Sequence, residues 1–140
     1  MKPVNKMKIE FWSISANESF ARVVAASFAA QLNPSINVLA DIRTAVSEAV
    51  TNAILHGYPD EMGIIQMECT LYPEYIEIVI QDFGKGIEDI EKARVPLYTS
   101  RPELERSGMG FTIMETFMDS LEVESEPNKG TKVKMTKRLV

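Results

Sequence analysis

Three short stretches carry residue types that could do chemistry. Ser47 to Gly57, SEAVTNAILHG, sets Glu48, Asn52 and His56, the only histidine, at intervals of four. On a helix turning about 100° per residue, Glu48 and Asn52 fall roughly 40° apart, away from the apolar side. A solvated helix face normally carries several Lys, Arg and Glu, yet from Thr44 to Leu55 the single charge is Glu48. Such a face suits the wall of a cavity, with a plain solvated face as the alternative. His56 alone suits a helix C-terminus, where a cation favours the dipole.

The second stretch is Asp82-Phe-Gly84-Lys-Gly86, at the end of an apolar strand. A carboxylate there can accept a hydrogen bond from an exocyclic amine while glycine backbone approaches a flat ring, although an ordinary turn would read the same way. The third is Arg106-Ser107-Gly108-Met109-Gly110, before an apolar helix. Its amides could meet a phosphate at a helix N-terminus, or it could be a glycine-rich cap. No Walker A sequence occurs, which excludes a P-loop.

The elements that must position these residues are readable from periodicity. Met7, Ile9 and Phe11 alternate with charged residues, as in a half-buried strand. Ser15 to Glu18 suggests a capping box for a first helix whose inward face is Phe20, Val23, Val24, Ser27, Phe28 and Gln31, ended by Asn33-Pro34. A second helix is expected from about Asn37 to His56. Its stripe is Leu39, Ile42, Val46, Ala49, Val50 and Ala53, and Gly57 closes it in a left-handed conformation. Ile64 to Tyr72 and Tyr75 to Gln81 read as an antiparallel pair joined by Pro73-Glu74. The polar segment 88–106 suits a lid. A helix from Gly110 and a hairpin turning at Pro127 to Gly130 close the chain, with Glu122, Glu124 and Glu126 facing Lys132 and Lys134. This order predicts an α+β fold, a two-layer sandwich with helices on one face of a mainly antiparallel sheet.

Composition narrows the function. With 140 residues, 45% of them hydrophobic, the chain suits one domain over 1–140. A net charge of -5 opposes a protein that grips nucleic acid directly. No long apolar run signals a membrane span or leader, and the lone Cys69 suits a reducing compartment, so a cytoplasmic location is expected.

In order, SEAVTNAILHG, DFGKGI, SGMGF and Gly130-Thr131 resemble the asparagine box, the two glycine boxes and the final Gly-Thr of the GHKL superfamily, which includes gyrase, MutL proteins and histidine kinases. The ExxxNAxxHG form and the segment ERSGMGFTIMETFMD are similar to its serine kinase branch, whose members act as anti-sigma factors. The resemblance implies the Bergerat type of sandwich, an ATP/ADP site and Mg2+. Asn52 would ligate magnesium, Asp82 with Thr131 would read adenine, and Gly84 and Gly86 would let the base lie close. Ser107, Gly108, Met109 and Gly110 would frame the triphosphate, with Arg106 at the γ-phosphate. Glu48 would be the general base, and Thr99 would belong to the lid.

By the same resemblance the partners are sporulation sigma factor F, an anti-anti-sigma protein phosphorylated on serine, and a second copy in a homodimer. A nucleotide-switched binding protein without phosphotransfer is the alternative. A detached gyrase or MutL ATPase module is opposed by the negative charge and the lack of a transducer domain, and a histidine kinase domain by the lack of a preceding phosphoacceptor helix. One partner surface is read from the residues alone. Arg22, Ala25, Ala26 and Ala29 form a nearly charge-free face opposite the expected inward face of the first helix, suited to docking.

Overall fold

The structure, a computed structural model, describes residues 1–95 and 110–140. Five antiparallel strands form one sheet in the order β1-β2-β3-β5-β4: β1 Asn5–Trp12, β2 Ile64–Leu71, β3 Tyr75–Asp82, β4 Ser120–Glu126 and β5 Gly130–Arg138. Alternation in each strand sends one set of side chains to the core. Met7, Cys69, Ile78, Met135 and Leu121 make one row across the sheet, and Ile9, Met67, Ile80, Val133 and Val123 make the next. The opposite face is charged. There Lys134 stands 3.6 Å from Glu122, the cross-hairpin pairing expected from the sequence, and 3.6 Å from Glu77 on the neighbouring β3.

Helices α1 (Ala16–Ala29), α2 (Ile36–Asn52) and α4 (Gly110–Phe117) contribute to the same core, and a single turn, α3, spans Ile90–Ala93. Ser35 caps α2 by accepting from the Val38 N–H at 3.2 Å. The stripe of α2 is as expected, with Ala45 added and Leu39 partly buried. Its end differs. Ala53–Gly57 form a wide turn of the π type, and Gly57 is not among the left-handed residues.

The largest correction concerns α1. Ala21, Ala25 and Ala29 are fully buried and Ala26 nearly so, whereas Phe20, Val23, Ser27 and Gln31 are exposed. Val24 and Phe28 pack partly against the core. Alanines at intervals of four give α1 a flat seam against α2, which presents Ala45 and Ala49 of its own, and small side chains let two helices approach closely. The alanine face is therefore core and cannot dock a partner. Arg22 stays accessible and pairs with Glu18 at 3.4 Å. The expected capping box is also absent. Ser15 is already helical, with φ -58° and ψ -31°, and its side chain makes no cap bond.

Candidate functional site

The cavity lies where the core's row pattern turns polar. Beyond the Ile80–Val133 pair, the next row reads Phe11, Ile65, Asp82, Thr131 and Ser125. Asp82 thus occupies a core position at the end of β3 and is only 4% exposed. Its Oδ1 accepts the Gly84 N–H at 3.0 Å, and the Thr131 backbone also bonds to it. Burial dominates over these two hydrogen bonds and pushes the carboxyl up to about 6. Two bonds leave further acceptor capacity on the carboxylate. Next to it, the Ser125 hydroxyl shares a hydrogen bond of 2.8 Å with that of Thr131 and accepts from the Ile87 N–H at 2.7 Å.

Around Asp82 lies a partly open cavity of about 550 Å³, within the usual range for small-molecule sites. Asn52, Asp82, Gly86, Gly110 and Thr131 all line it, so the structure brings together residues from the N-terminal half, the sheet and the last helix. Asn52 ends α2, and a Cβ added at Gly110 would stand 2.8 Å from its Nδ2, so the first residue of α4 lies against that amide. His56, Lys85 and Lys92 also line the cavity, together with the acidic Glu88 and Asp89, so the lysines supply point cations for an anionic ligand within a lining of mixed charge. Glu48 is half-buried one helical turn before Asn52 and is not a lining residue. Gly84 lines a smaller adjoining cavity. Thr99, Arg106, Ser107, Gly108 and Met109, with most of the expected lid, lie outside the described residues.

Glycine is required here by the chain's own packing. A Cβ on Gly57 would meet the Asp82 carboxyl carbon at 2.8 Å, and one on Gly84 would stand 1.9 Å from the Gly57 carbonyl oxygen. The end of α2 is thereby pressed onto the turn after β3, and the Lys85 N–H donates to Gly57 O at 2.8 Å.

Sequence reasoning missed Ile87, Phe111 and Asn128 in the cavity wall. Asn128 offered the clearest signal, as a turn residue that takes φ 65° in the last hairpin; its N–H donates to Lys85 O at 2.7 Å. Among the described residues no group of three or more His, Cys, Asp or Glu could hold a metal. A divalent cation at this site would draw on the Asn52 amide oxygen, ligand phosphates and water, a donor set that fits magnesium.

Residues 12–137 match the family described as histidine kinase-like ATPase domain. The chain belongs to that family. Within it, the chain is 61% identical over 136 residues to the anti-sigma F factor of Clostridium perfringens strain SM101, covering 96% of this chain and 97% of that one. It is 61% identical over 137 residues to the anti-sigma F factor of Thermoanaerobacter sp. strain X514, covering 98% and 96%. The Clostridium novyi anti-sigma F factor is 58% identical over 136 residues, covering 96% and 95%. The fold is similar to a crystal structure of RsbU and RsbW domains from Mycobacterium tuberculosis, with a TM-score of 0.70 and 19% identity; the match covers 98% of this chain and 33% of that longer one. The family match supports a kinase-like ATPase domain over nearly the whole chain. Among the described residues no helix is long and apolar enough to cross a membrane.

Proposed function

We propose that this cavity binds ATP and ADP with magnesium, and that the protein is a cytoplasmic serine kinase and anti-sigma factor built as one domain over 1–140. The observation that carries the reading is the buried Asp82 carboxylate, placed beside Thr131 in a cavity shared with Asn52. A carboxylate held there is an acceptor for the adenine amine. Magnesium, held by the Asn52 amide oxygen, would neutralise charge on the phosphates. Gly110 lies against Asn52, and by the resemblance Ser107, Gly108, Met109 and Arg106, which lie outside the described residues, belong to the phosphate-binding box. The resemblance assigns Thr99, which lies outside the described residues, to a lid, whose chemical part would be to exclude water from phosphoryl transfer. Glu48 takes the proton of the attacking serine hydroxyl.

The partners are sigma factor F, sequestered in the ATP-loaded state, and an anti-anti-sigma protein phosphorylated on serine. The high identity to anti-sigma F factors over nearly the whole chain supports the first, and the second rests on the resemblance to the serine kinase branch. A homodimer is the reading of the resemblance, and it has two features to draw on: Phe20 and Val23 leave apolar surface exposed on α1, and β1 is an edge strand of the sheet. Arg22, beside that surface, is available to a partner.

One observation favours the nucleotide-switch alternative without phosphotransfer: Glu48 is not among the cavity's lining residues. A single experiment separates the readings. The protein is incubated with labelled ATP, sigma factor F and the anti-anti-sigma protein. Label on a serine of the last and ATP-dependent retention of sigma support the kinase. Glu48→Gln should keep ATP affinity and sigma binding while transfer slows by roughly 10² to 10⁴. Transfer at the parental rate refutes the base role, and sigma retention with no transfer by the parent leaves the switch.

A further inference from the structure

Tyr58 follows the helix that carries Asn52, yet it is not a residue of the cavity wall. It is 8% exposed, and its ring lies under Gly63, where an added Cβ would stand 2.2 Å from the ring. The hydroxyl donates to the Ile64 carbonyl at 2.7 Å and accepts from the Phe83 N–H at 2.7 Å. A phenol has one proton, so the bond to Ile64 fixes a lone pair on Phe83. Phe83 directly follows Asp82. On the other side of the turn, the Lys85 N–H donates to Gly57 O, and the Gly57 α-carbon abuts the Asp82 carboxyl. Residues 57 and 58 therefore hold both ends of the turn whose first side chain is the cavity's buried acceptor.

We infer that Tyr58 is a positioning residue for base selectivity: its hydroxyl, bridging the start of β2 and the turn after β3, aims the Asp82 carboxylate at the exocyclic amine of a purine. The inference rests on the ATP reading and adds a residue that touches neither base nor phosphate. A shift of a few tenths of an ångström in the turn would be felt in a hydrogen bond to the amine and hardly at all by the triphosphate.

The test compares ATP with purine riboside triphosphate, which lacks the exocyclic amine, by calorimetry on the full chain. The parent should prefer ATP by about one order of magnitude or more. Tyr58→Phe, which keeps the ring, should lose most of that preference while its affinity for purine riboside triphosphate stays within about twofold, since only the amine contact depends on the turn. In an Asp82→Asn background the same substitution should leave ATP affinity unchanged. Equal losses for both ligands, or a further loss in the Asp82→Asn background, would mean that Tyr58 serves stability alone and would overturn the inference. No preference in the parent would overturn the ATP reading and the inference with it. Should Tyr58→Phe fail to fold, a ring-fluorinated tyrosine at position 58, a weaker acceptor for the Phe83 N–H, should reduce the preference in the same way; an unchanged preference refutes it.

Discussion

Replacing Asp82 by Asn should separate ligand binding from stability in opposite directions. In the folded chain the carboxyl titrates at about 6 against an ordinary 3.8. It holds its proton more tightly folded than unfolded. This group therefore favours folding most below about pH 4, and that contribution is lost as pH rises through about 6. At neutral pH the buried carboxylate opposes folding by about 3 kcal/mol, at 1.36 kcal/mol per pKa unit. Asparagine removes that cost and keeps an oxygen for the Gly84 and Thr131 amides, so the unliganded variant should be more stable than the parent at neutral pH, by up to about 3 kcal/mol. ATP affinity should move the other way. Losing a charged acceptor for the adenine amine costs about 1.5 to 3 kcal/mol, or roughly one to two orders of magnitude in Kd. Because the ionised carboxyl is the binding form, the parent's ATP affinity relative to the variant's should fall about tenfold between about pH 7 and pH 5. Taking the ratio cancels the titration of ATP itself. Denaturant unfolding and calorimetry on both proteins measure these quantities. A variant that binds ATP as tightly as the parent, or a ratio flat across that pH range, would refute the assignment of Asp82 as the base-reading group.

Two further outcomes are expected. Ala25→Leu should destabilise the fold by about 1 to 3 kcal/mol through overpacking of the seam between α1 and α2, whereas Phe20→Ser should leave denaturation nearly unchanged and weaken self-association in sedimentation; the reverse pattern would restore the discarded orientation of α1. Gly84→Ala should abolish ATP binding and lower the unfolding midpoint together, because its methyl group has only the Gly57 backbone to displace.

Much of the frame was legible in the sequence because period-two alternation in β2 and β3, and the apolar stripe of α2, each admit one solution. The first helix was misread for a specific reason. Hydropathy ranks Phe20 and Val23 above alanine, but a helix lying close to another selects for small volume, and nothing in α1 alone states how near α2 will be. At the site, Asn52 and Asp82 were recognisable from their local surroundings and from resemblance. What no local pattern reveals is that β5 inserts between β3 and β4, which sets Thr131 opposite Asp82 and brings Asn128 to Lys85. Tyr58 was passed over because a tyrosine after a helix has no motif; its role exists only once Ile64 and Phe83 are both within reach.

The row that ends in Asp82, Thr131 and Ser125 is a continuation of the hydrophobic rows, and this limits how the chain's length can vary. Removing one residue between Tyr75 and Asp82 would turn part of β3 over, sending either its isoleucines or Asp82 to the charged face. Core and cavity cannot be altered independently by insertion or deletion in this strand. Removing two residues would restore the faces but carry Asp82 past Thr131, keeping a hydrophobic interior while dismantling the polar row. The opposite end of the sheet carries no such double constraint. At the Tyr72 to Tyr75 connection the two rings stack with centroids 4.7 Å apart, far along β3 from Asp82, and Pro73 and Glu74 are exposed. Changes in length before Glu74 are therefore compatible with an intact cavity, while Glu74 itself, whose carbonyl accepts the Leu139 N–H at 2.8 Å, helps hold the register of β3 against β5.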